Sequence, residues 1–187
     1  MGRMRAKLAA RLAILLFLAL ASPLAAEHGL NADNVRRIVV DMPDDRLHIV
    51  DNRTIPDICL QHLLALTLAD GTLTFAAAHD YPRMEDPAVL AVRKRIEVVP
   101  SAELTAAVPA RQAIIALETT DGRQLRHRTY AVRGTPDNPM DAAEVEAKAR
   151  DLIVPIIGAE RSEKLIAAVA SLESLRAVTE LRPLLQA

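Results

Sequence analysis

VDNRTIPDICLQHLLALTLADGTLTFAAAHDYPRMED, residues 50–86, is the stretch whose reading decides the fold. Pro56-Asp57 has the form of a helix start, with a proline suited to the turn and an aspartate able to accept from exposed amides. From there Ile58, Cys59, Leu60, Leu63, Leu64, Leu66 and Leu68 make a segment apolar on nearly every side, as far as the Asp70-Gly71 stop. A helix without a polar face belongs at the centre of a domain. This one nevertheless carries Gln61-His62 where a core helix has aliphatic side chains. Asp51-Asn52-Arg53 precede it and His79-Asp80 follow it. Ionisable groups gathered round one buried helix point to a site that handles a carboxylate.

The neighbouring segments supply a sheet. Residues 35–42 are β-branched and partly alternating, and read as a strand closed by Pro43. Residues 74–78 read as a short helix, and Asp86-Pro87 opens another through Val89, Leu90 and Val92. Residues 96–99 form a strand ended by Pro100. Strands over 113–119 and 123–132 flank Asp121-Gly122, a strong hairpin signal. Residues 134–140, GTPDNPM, are a turn-rich loop.

The C-terminal third is helical. Asp141 and Glu144 have the spacing of a capping box, Met140 and Val145 that of a hydrophobic staple, and Val145, Ala149, Leu152 and Ile156 follow at helical spacing up to Gly158. A second helix presents Leu165, Val169 and Leu172, and a third starts near Val178. The fold class is α+β: a mainly antiparallel sheet with packed helices and a helical C-terminal third.

Composition narrows the function. The 187 residues are 51% apolar and 25% charged, enough for one domain with a real core. Aromatic residues make up 2% with no tryptophan, the net charge is −1, and no basic block follows the first dozen residues. No nucleic-acid partner is expected, because that needs a basic patch or stripe. Cys59 is the single cysteine, which excludes an intrachain disulfide, a cysteine-ligated iron–sulfur cluster and a cysteine zinc site. It reads as an inert side chain inside the apolar helix.

Residues 1–26 stand apart. Arg3, Arg5, Lys7 and Arg11 form a basic start, residues 12–21 an apolar run, and small residues offer cleavage after Ala21 or Ala26. That is the order of a secretory signal peptide, and the run is short for a membrane span. The alternative is a helix belonging to the domain.

Familiar catalytic motifs are absent: no G-x-S-x-G, P-loop, H-E-x-x-H, G-x-G-x-x-G or C-x-x-C occurs. His62 shares a helix face with Ile58 and Leu66, and is either a core histidine with internal partners or an active-site group. Asn52 and Arg53 could hold a carboxylate through bidentate geometry, or Arg53 could pair with Asp51 or Asp57 in a loop. His79 reads as a helix cap, since adjacent His79 and Asp80 point apart.

DNRTIPDICLQHLLALTLADGTLTFAAAHD, then DPAVLAVRKRIEVVP, PARQAIIALETTDGRQL and RGTPDNPMDAAEVEAKARDLIVPIIG, in this order from about Glu27 onward, resemble the C-terminal domain of the MmgE/PrpD family. That family includes 2-methylcitrate dehydratase, cis-aconitate decarboxylase and iminodisuccinate epimerase. The most distinctive pieces are DNRxxPD with LQHLLA and the G-x-P-x-N-P-M loop leading into the helix of Lys148.

The resemblance implies an α+β domain packed on a larger helical domain. Its enzymes act on small di- and tricarboxylic acids with no metal or other cofactor, by removing a proton α to a carboxylate. It also implies His62 as the catalytic acid–base group or a substrate ligand, with Asn52, Arg53 and Gln61 as substrate-binding residues. Family members are about twice this length, and the helical domain supplies most catalytic groups. The chain alone is therefore expected to be inactive. It would be completed by a separately encoded helical domain, or would self-associate.

By resemblance the location is cytoplasmic; with a true signal peptide at 1–26 it is exported, free of the membrane once that leader is removed. The rival reading is an exported binding module without catalysis.

Overall fold

The computed structural model describes residues 22–108 and 111–186, so residues 1–21 of the leader expected over 1–26 lie outside them. The chain divides into two compact units at Pro139/Met140.

The first unit is built on a four-stranded sheet of order β2-β1-β3-β4, comprising β1 (Val35–Pro43), β2 (Ile96–Ser101), β3 (Ala113–Thr119) and β4 (Gln124–Thr129). β1 pairs with β2 in parallel and with β3 antiparallel, and β3 pairs antiparallel with β4, so two of the three pairings are antiparallel. In β1, Val35 is buried together with Ile38, Val40 and Met42, a change of parity between residues 35 and 38. The register shift between Val35 and Arg37 explains it: one extra residue turns both segments to the same face. β2 runs through Pro100 to Ser101, further than the proline signal implies. It is an edge strand, where a missing N–H costs no ladder bond. β4 ends at Thr129, short of the expected Val132.

The helices fill the crossover between the parallel strands. After α1 (Ser22–His28) come α2 (Asp44–Val50), α3 (Leu60–Asp70), α4 (Phe75–Ala78), α5 (Pro87–Arg93) and, beyond β2, α6 (Ala102–Thr105). The sequence signals for α4 and α5 hold: Thr74 and Asp86 cap their first turns with their side chains.

The central helix starts later than expected. Pro56–Ile58 is a separate 3₁₀ turn, and Cys59 sits at the N-cap rather than within the helix. Asp57 therefore caps nothing in α3. Every residue of α3 from Leu60 to Leu68 is buried, and Gly71 closes it in the left-handed region at φ 74°. The core formed by α3 and the sheet also holds Leu24 of α1 at 6% exposure, together with Val89 and Val92 of α5.

The second unit comprises α7 (Ala142–Ile157), α8 (Ala159–Ala170) and, after two 3₁₀ turns, α9 (Arg182–Leu185). The capping box is present in both directions, Glu144 N to Asp141 and Asp141 N to Glu144. Burial departs from the periodicity. Among described residues 140–186 only Ser162 is buried, while Val145, Ile156 and Val169 are 52%, 72% and 54% exposed.

Candidate functional site

At the start of α3, Gln61 ties the helix to the turn that carries Asn52 and Arg53. Gln61 is buried; its Nε2 donates to Asp51 Oδ1, and its Oε1 accepts the Asn52 amide at 3.0 Å. The amide group thus uses one donor and its acceptor to fix a turn nine to ten residues upstream. Asn52 holds a positive φ of 44°, which asparagine tolerates better than most residues, and its Nδ2 donates to Asp51 Oδ1 at 3.3 Å. The turn puts Arg53 on the surface, where its guanidinium donates to the His48 carbonyl at 3.5 Å. The loop ion pair with Asp51 or Asp57 does not form: Asp51 takes the Gln61 and Asn52 amides, and Asp57 faces His79 Nε2 at 3.7 Å.

His62 follows Gln61 and receives the opposite treatment. It is 0% exposed, and neither ring nitrogen has a hydrogen-bond partner among the described residues. The expectation of a core histidine with internal partners therefore fails. Burial, reinforced by the charges of Arg93 and Arg83 and opposed by Asp80, lowers its pKa from 6.5 to about 4. The ring is neutral at pH 7, with one nitrogen free to accept and the other to donate. An imidazole buried without partners forfeits about 1–3 kcal/mol. By contrast Thr67, the third polar side chain of α3, satisfies itself on the Leu63 carbonyl at 3.1 Å.

Around His62 the cations are held differently. Arg83 forms a two-bond pair with Asp70, its Nη2 at 3.0 Å from Oδ1. Arg93, in the last turn of α5, forms no ion pair among the described residues. Its Nη2 reaches the carbonyl of Arg53 at 3.4 Å. Sequence reasoning passed over Arg93 because a basic residue ending a helix is ordinary dipole complementarity; a contact forty residues away leaves no local signal.

His79 is the cap that its position implies. Its Nδ1 lies 2.8 Å from the Phe75 carbonyl, and its ring stacks on Phe75 with centroids 4.0 Å apart.

Two open surface depressions, of about 450 and 440 Å³, are lined by residues 157–161 with Lys164 and Leu184, and by residues 169–174. None of His62, Gln61, Asn52 and Arg53 lines either.

The model of the MmgE/PrpD C-terminal domain matches residues 12–174, taking in the sheet, α3 with its polar pair, and most of the helical third. Comparison with curated proteins gives no significant match. With most of its length accounted for by one domain model, the chain belongs to the MmgE/PrpD family, matched in that family's C-terminal domain.

Proposed function

We propose that this chain is the α+β half of a metal-independent lyase acting on small di- or tricarboxylic acids, with His62 as an acid–base group at the cleft where a helical domain completes the site. The observation that supports this reading most is the unpartnered His62 ring on a helix where every other polar side chain is satisfied. A core position has no use for such a residue, since a leucine there would be more stable. A group that takes and returns a proton does need free nitrogens.

The chemistry follows from the electrostatics. Near pKa 4 the imidazole is a neutral but weak base. A substrate carboxylate bound near the ring would favour its protonated form and raise the pKa toward neutrality, where a general base works best. Arg53 and Asn52 would bind that carboxylate, and Gln61 would keep their turn in place.

His62 is shut off from solvent here, so the reading requires a conformer that opens onto the ring when the helical domain and substrate engage. Two tests apply. The purified chain alone is expected to show no dehydration of 2-methylcitrate, and measurable turnover would contradict the need for a second domain. In an enzyme reconstituted with a helical domain, His62→Ala is expected to lower the rate at least about 100-fold. A near-wild-type rate removes His62 from the site.

We propose too that residues 22–26 belong to the domain. Leu24 is part of the core, Leu30 N bonds the Ala25 carbonyl at 2.9 Å, and the family match begins at residue 12. A leader cut after Ala26 would strip Leu24 from that core, whereas a cut after Ala21 would leave α1 whole. N-terminal sequencing of the mature chain decides: a start at Glu27 contradicts this boundary.

A further inference from the structure

We infer that Arg93 is a substrate-carboxylate ligand of this site, and that through it the bound anion controls the basicity of His62. The inference rests on the reading of the site given above and names a residue and a coupling that the reading does not contain.

Arg93 is the side chain that ties the site's pieces together. It stands in the last turn of α5, the helix packed against α3, and its Nη2 bonds the Arg53 carbonyl at 3.4 Å. It thereby touches the turn that Gln61 pins from the position next to His62. That single long bond uses one of five guanidinium N–H donors, leaving a planar fork for a carboxylate.

The surrounding arginines are committed elsewhere. Arg83 is paired with Asp70, and Arg95 donates to the carbonyls of Ala32 and Val35 at 2.8 Å each. Arg93 is half-buried and has no carboxylate partner among the described residues. A half-buried guanidinium without a counter-ion binds a carboxylate more firmly than an exposed one, because less water competes for it.

The second observation is the ring itself: fully buried, unpartnered, and exposed to the field of Arg93. The charged groups that bear on it are Arg93 and Arg83, which disfavour its protonation, and Asp80, which favours it. Asp70 already offsets Arg83, so Arg93 is the cation whose field a bound anion would cancel. Its neutralisation eases protonation of His62, while the larger effect of burial remains.

The test uses the whole purified chain and citrate as probe. NMR reads both citrate affinity and the His62 pKa in wild type, Arg93→Gln, Arg93→Lys and Arg37→Gln. The last removes an equal charge from the exposed face of β1 as a control. Wild type is expected to bind citrate at millimolar concentration with an upward shift of the His62 pKa. Arg93→Gln is expected to raise that pKa without citrate and to weaken citrate binding at least about tenfold. Arg93→Lys should recover part of each effect, and Arg37→Gln should match wild type.

If Arg93→Gln binds citrate like wild type, the inference falls and the site reading stands. If Arg93→Gln loses citrate but citrate leaves the wild-type His62 pKa unmoved, the ligand role stands and the coupling is overturned. If wild type does not bind citrate at all, the inference falls, while the site reading is decided by His62→Ala in the reconstituted enzyme.

Discussion

His62 and His79 lie seventeen residues apart, on either side of the end of α3, and the fold treats them in opposite ways. His79 is 38% exposed at its side chain and fully occupied: it caps the Phe75 carbonyl, stacks on the Phe75 ring and faces Asp57. His62 is enclosed and bonded to nothing. The difference teaches that these two rings carry different loads. The exposed histidine holds structure together, while the buried one costs stability where it stands.

Acid unfolding separates the two rings by the largest margin. Folded His62 titrates near 4 and the unfolded ring near 6.5, so between those values the unfolded chain takes up a proton that the folded chain refuses. The refused proton costs the fold nothing above pH 6.5, and stability is lost as pH falls toward 4, by roughly 3 kcal/mol. Urea unfolding across this range should show that loss in wild type and lack it in His62→Leu, which at pH 7 is expected to be as stable as wild type or more so. An unchanged pH profile in His62→Leu would place the loss elsewhere.

Gln61 tests the neighbouring position. Gln61→Leu leaves the part-buried Asn52 amide and Asp51 without their partner and should cost about 2 kcal/mol in the same assay. A cost below about 0.5 kcal/mol would mean that the 51–53 turn holds without its clamp. The smallest effect is expected at His79→Ala, about 0.5–1 kcal/mol, from the loss of a half-exposed cap and ring contact. A larger penalty there would blur the distinction between the two histidines.

How much of this was legible follows from where each signal resides. The burial of α3 is written in its own aliphatic residues, and the hairpin in Asp121-Gly122, so both were readable. The α+β class followed from them. The helix start at Leu60 was misread because Pro56-Asp57 satisfies local rules for a start that the chain uses as a 3₁₀ turn. The short helices α2 and α6 went unread: four to seven residues make too weak a periodic signal, and surrounding contacts decide such segments. The bulge at residues 35–37 and the parallel pairing of β1 with β2 depend on partners far along the chain.

The site divides in the same way. Residue type alone marked Gln61-His62 as out of place. That one ring would be left without partners while its neighbour used donor and acceptor on the Asp51-Asn52 turn could not be read from type. The second unit marks another limit. Its helices follow the expected spacing, yet Val145 and Ile156 stand exposed, because periodicity fixes a face and not what covers it.

The most direct measurement is the titration of the His62 imidazole by NMR in the purified chain, free and with citrate. The account predicts a ring that titrates near 4 when free and moves upward when citrate binds. A ring that titrates near 6.5 and ignores citrate would contradict it.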